Sequence, residues 1–76
     1  MYDVEVTVAH SEGAPYRLSA ADAASAQRLV EQLLAAWGRR LYGRPNAIVE
    51  ALEEFGTFES EPEGAGYRVL IKRAAA

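Results

Sequence analysis

Tyr2-Asp3-Val4-Glu5-Val6-Thr7-Val8 alternates without a break. Tyr2, Val4, Val6 and Val8 point one way and Asp3, Glu5 and Thr7 the other, the period of a strand with one buried face. Its counterpart near the far end of the chain is Tyr67-Arg68-Val69-Leu70-Ile71-Lys72-Arg73. There Tyr67, Val69 and Ile71 make the apolar side, with Arg68, Leu70 and Lys72 opposite. These are the most apolar strand candidates, so they belong at the centre of a sheet rather than at its edges.

Next to the first strand, His10-Ser11-Glu12-Gly13-Ala14-Pro15 is turn chemistry, and Tyr16-Arg17-Leu18 resumes the alternation, which reads as a hairpin. Ser19-Ala20-Ala21-Asp22 has the form of a capping box in an acidic variant, with Ser19 as N-cap and Asp22 three residues on. A helix is predicted from there to about Trp37. Ala26, Leu29, Val30, Leu33, Leu34 and Trp37 fill one broad stripe, while Arg28, Glu31 and Gln32 lie outside it. So wide a stripe calls for two neighbours, a sheet and a second helix. Gly38 is the expected stop, with Gly43 and Pro45 offering a later one. From Pro45 or Asn46 a shorter helix follows, with Ile48, Val49, Leu52 and Phe55 inward, Glu50, Glu53 and Glu54 outward, and Gly56 ending it. Thr57 to Glu61 reads as a strand and Pro62 to Gly66 as a turn.

The order is therefore strand, strand, helix, helix, strand, strand. If the first strand runs up and the second down, the long helix rises and the short one descends. The third strand then rises and the fourth descends beside the first. The expected fold is α+β in two layers: a fully antiparallel sheet of order 2-1-4-3 with both helices on one face. Val6, Val69 and Leu33 are expected where the central strands meet the long helix. The open face would carry Asp3, Glu5, Thr7, Arg17, Glu59, Glu61, Arg68 and Lys72 around Leu70, a solvated mixture of charge. The whole of residues 1–76 makes a single small domain, with 74–76 as a fraying tail.

Composition narrows the function classes. Half of the 76 residues are apolar and a quarter charged, with a net charge of −3, which is ordinary globular composition. No run approaches the roughly 20 apolar residues of a membrane span, and no basic, apolar leader precedes Asp3 and Glu5. There is no cysteine and only one histidine, His10, so disulfides, thiolate metal cages and multi-histidine sites are excluded. A cytoplasmic location follows as the expectation. Lys72 is the only lysine beside seven arginines, the bias of a GC-rich, bacterial coding sequence.

The candidate chemistries are few. His10-Ser11-Glu12 holds the residue types of a nucleophile triad, but neighbouring side chains on an extended segment point apart. Asp3 and Glu5 share a sheet face without the further oxygens that a hard cation requires; pairing across the strands with Arg17, Arg68 or Lys72 accounts for them. Glu50 and Glu53 lack the histidine of a di-iron helix pair. Gly64-Ala65-Gly66 joins two strands beside Glu61 and Glu63, which is a hairpin turn and no phosphate cradle. Trp37, Tyr42, Phe55 and Phe58 are assigned to core and rim packing.

One constellation remains. Arg39-Arg40-Leu41-Tyr42-Gly43-Arg44 puts three guanidinium groups just before the second helix. Free amides at a helix start beside arginines have the chemistry of an anion site. The plainer account is that Arg39 and Arg40 complement the first helix's dipole while Asn46 caps the second. The topology brings His10, the arginine connection and the Pro62–Gly66 turn to one end of the sheet, so Arg39, Arg40, Tyr42, Arg44 and His10 are the candidate anion- or partner-binding residues. No cofactor is implied.

The leading expectation is a non-enzymatic interaction domain that pairs with itself as a homodimer or with another protein. A chain this short buries only about 60–65% of its unfolded surface; self-association is the stabilising route left without disulfides or metal, and the edge strands at Tyr16–Leu18 and Thr57–Glu61 offer backbone groups for pairing across a two-fold axis. The alternative is a module for anions, phosphate or nucleic acid, although net acidity speaks against nucleic acid.

Overall fold

The computed structural model describes residues 1–9 and 15–74. The expectations for His10, Ser11, Glu12 and the rest of the first turn through Ala14, and for Ala75 and Ala76, fall outside the described residues. The elements are β1 (Tyr2–Val8), β2 (Tyr16–Ala20), α1 (Ala23–Ala36), α2 (Ala47–Phe55), β3 (Thr57–Ser60) and β4 (Tyr67–Arg73). The four strands form one antiparallel sheet of order β2-β1-β4-β3. This is the α+β arrangement that the alternation of the outer segments demands. Among the described residues no helix is long and apolar enough to cross a membrane.

The register explains the core. Val4 faces Ile71, Val6 faces Val69 and Val8 faces Tyr67, and all six are buried against Ala26, Val30, Leu34, Ile48 and Leu52 of the helices. Burying a side chain the size of valine or leucine stabilises the fold by about 1.5–3 kcal/mol. The ladder of β1 and β4 runs on past Arg73, where the Ala74 amide donates to the Met1 carbonyl at 3.0 Å. On the open face Glu5 lies opposite Arg17 and Asp3 opposite Lys72. Arg68 pairs elsewhere, with Glu59 and Glu61 at 3.5 Å each.

The start of α1 differs from the capping-box reading. β2 continues through Ser19 and Ala20 because Asp3 and Tyr2 of β1 supply them with ladder partners, and Ala20 is buried. The cap therefore passes to Asp22, whose extended backbone lets Oδ1 accept from the Ser25 amide at 2.8 Å. That bond, with smaller help from the Ser25 side chain and the charge of Arg28, holds the Asp22 carboxyl below its ordinary value. A depressed carboxylate contributes stability that is present above its unfolded value, about 3.9. It is lost as pH falls through the lower folded value. Asp22→Asn should keep the cap and lose this acid-side dependence, whereas Asp22→Ala should lower the urea midpoint at neutral pH. Denaturation between pH 2 and 7 checks both outcomes.

At the other end of α1, Gly38 takes φ 68°. Its amide donates to Ala35 and that of Arg39 to Leu34, at 3.0 and 2.7 Å. This paired closure of the last carbonyls selects Gly38 over Gly43 as the stop.

The buried face of α1 is rotated from the expected stripe. Ala23, Ala26, Gln27, Val30 and Leu34 are buried, while Leu29 and Leu33 are half-buried on one flank. Leu34, not Leu33, is the residue that meets the central strands. Trp37 lies past the last helical residue and is 41% exposed, its ring tilted against Tyr16 at 6.2 Å. Phe55, expected inward, is 70% exposed. It ends α2 just where Gly56 turns the chain at φ 76° into β3, and Phe58 packs on the core there instead.

Candidate functional site

The connection between the helices, residues 37–46, is anchored by Leu41, which packs half-buried on the core, and by Tyr42. The Tyr42 amide donates to the Tyr67 hydroxyl oxygen at 2.9 Å, and the two rings stack at 6.5 Å with only 9° between their planes. Tyr42 itself stays 58% exposed. Arg39 reaches the turn between β3 and β4, where a Cβ on Gly66 would lie 3.1 Å from its guanidinium. Gly66 also has φ +80°, so both space and backbone reserve that position for glycine. The Ala9 amide donates to the Gly66 carbonyl at 2.8 Å. The end of β1, the helix connection and the turn at residues 62–66 thus meet at one end of the sheet.

The three arginines have three different surroundings. Arg39 is half-buried against Gly66, and its Nε is buried without a hydrogen-bond partner. Arg40 is exposed. Arg44 pairs with Glu50 at 3.1 Å on the surface, a contact worth at most about 1 kcal/mol. His10, the remaining candidate, lies outside the described residues.

The amides expected to be free at the start of α2 are occupied. Ala47 donates to the Arg44 carbonyl at 3.1 Å. Ile48 and Val49 both donate to Oε1 of Gln27, at 3.0 and 3.3 Å. Asn46 does not cap the helix with its side chain: it sits at φ 62°, ψ 21° and makes no such bond. A side-chain cap is typically made from an extended backbone, and asparagine is among the few residues that tolerate this left-handed one. The buried amide of Gln27, one turn into the other helix, does the work instead. The backbone amides that would bind an anion at this helix end are thus already satisfied within the chain.

Elsewhere the surface is shallow. A depression of about 340 Å³ on the open sheet face is lined by Asp3, Glu5, Arg17, Leu70 and Lys72 among others. A wider one of about 530 Å³ lies beside the turn at residues 62–66. Among the described residues no group of His, Cys, Asp or Glu is placed to hold a metal ion.

The β2 edge was legible as an edge strand at Tyr16–Leu18, but the apolar strip that runs along it was not. Tyr16 and Leu18 of β2, with Leu29 and Leu33 of α1, pack only partly onto the core, and Trp37 beside them is 41% exposed. Gln27 turns one flank of α1 to α2. Leu29 and Leu33 occupy the opposite flank, toward β2. The signal was present in the overwide apolar stripe, whose Leu29 and Leu33 side extends past what the sheet and α2 cover.

Compared with models of known families, with curated proteins and with solved structures, the chain matches none of them.

Proposed function

We propose that this domain is a non-enzymatic interaction module that acts as a homodimer. The observation that carries the reading is the apolar strip of Tyr16, Leu18, Leu29, Leu33 and Trp37, which flanks β2, an edge strand with no further strand beside it among the described residues. Contiguous apolar surface beside unpaired backbone groups is the usual mark of a protein contact. The short chain gives the association a further purpose, since burying the strip adds core to a domain that has little. A cysteine-free chain suits the reducing cytoplasm, where the proposal puts it. The anion-binding alternative combines Arg39, Arg40 and Arg44 with free amides at the start of α2, and Gln27 holds two of those amides. No observation favours it over the module.

Trp37 is the single tryptophan and reports directly on the strip. As concentration rises through the micromolar range, its emission should shift to the blue while light scattering shows the mass moving from 8.3 kDa to twice that value. A mass that stays at one chain, with emission that never shifts, would remove the reading.

A further inference from the structure

How the second copy sits on this edge rests on the homodimer reading. We propose that two chains pair β2 to β2, antiparallel, across a two-fold axis through Leu18, with the Leu29–Leu33–Trp37 flanks of the two α1 helices closing over the seam.

The choice of edge follows from the strands themselves. β3 has four residues, carries exposed Glu59 and runs into Glu61 and Pro62. A short, acidic, proline-ended strand is a blunted edge. β2 is longer, and Arg17 is its only charge.

The choice of register follows from what would stand opposite what. Paired strands must match core face to core face, so the axis passes through a residue, and only an axis at residue 17, 18 or 19 keeps more than one residue of Tyr16–Ala20 paired. An axis at Arg17 sets two guanidinium groups against each other. An axis at Ser19 pushes Arg17 off the end of the strand, opposite the partner's Ala21. An axis at Leu18 overlaps all of Tyr16–Ala20. Leu18 then meets its own copy, and the large Tyr16 ring falls beside the partner's small Ala20.

On the open face this register puts Arg17 opposite the partner's Ser19. Within each chain Ser19 is bordered by Asp3, so Arg17 passes over a short side chain toward the partner's Asp3. The Cα separation is two strand spacings, about 9.5 Å, within the combined reach of the two side chains. Neither Arg17 nor Asp3 takes part in an ion pair among the described residues of the single chain. The pairing occurs twice, once on each side of the axis.

A chain without cysteine makes the test clean. Leu18→Cys should give a disulfide-linked dimer on mild oxidation, since residues facing each other across a strand pair meet the Cα distance a disulfide needs. Glu59→Cys, on the β3 edge, should not. Arg17→Asp should raise the dimer Kd on the order of tenfold, from two lost exposed pairs, and adding Asp3→Arg to the same chain should restore it. A dimer that links through Glu59→Cys and not Leu18→Cys, or whose Kd ignores both reversals, overturns this edge and register while leaving the homodimer reading standing. Masses that grow beyond two chains indicate open-ended β2-on-β3 stacking and overturn the two-fold. A wild-type chain that stays monomeric overturns the proposal and the reading beneath it.

Discussion

Truncating Leu34 to alanine is expected to lower the free energy of unfolding by about 2–5 kcal/mol. Leu34 has no exposed surface and sits in one cluster with Val30, Ile48 and the central-strand valines. Removing its isobutyl group forfeits the transfer energy of those atoms and leaves a cavity that two helices and a sheet cannot close together. A domain of 76 residues has roughly 4–11 kcal/mol in total at ordinary values per residue, so this one change brings it near the threshold of folding. Leu33→Ala is the control. Leu33 is half-buried on the flank, and its loss in the monomer should be near 1 kcal/mol. Urea denaturation of both variants at high dilution, with unchanged m-values, checks the pair. Equal losses would mean that the face of α1 has been assigned wrongly.

The second large effect is expected at Gln27. Gln27→Leu conserves volume but removes the acceptor that Ile48 and Val49 share. Ile48 is fully buried, so water has no ready route to its amide. A buried donor left unpaired costs about 1–3 kcal/mol, and the α2 start loses the side chain that ties it to α1. We expect a loss of about 2–3 kcal/mol in all. Native-state hydrogen exchange gives the sharper readout: protection of the Ile48 and Val49 amides should fall well beyond the global loss. Asn46→Ala, by contrast, should leave those two amides protected, because the Asn46 side chain makes no cap bond. Unchanged protection in Gln27→Leu would show that another group satisfies them.

The contrast between Gln27 and Asn46 shows where reading a sequence stops. Asparagine just before a helical stretch is a standard cap, and glutamine among alanines and leucines on a helix gives no sign of a tertiary role. Both signals point the wrong way, because the cap is made by a residue about twenty positions away in sequence whose amide arrives only when α1 and α2 pack. The arginine connection behaves alike. Its composition suggests three convergent cations, but one lies on Gly66, one on Glu50 and one is exposed. The same distinction applies to Leu33 and Leu34, adjacent on a stripe too broad to have one centre.

Strand alternation, the glycine stops and the antiparallel order could be worked out beforehand because each depends on neighbouring residues or on the short connections between them. Period two in Tyr2–Val8 and Tyr67–Arg73 settles which side chains share a face, and chain reversal at each turn settles direction. The rotation of α1 about its axis, the transfer of its cap from Ser19 to Asp22, and the satisfaction of the α2 amides were decided only in three dimensions. Each is a choice among several locally acceptable partners, and the ladder of β1 with β2 or the contact of the two helices selects one of them by satisfying more buried groups at once.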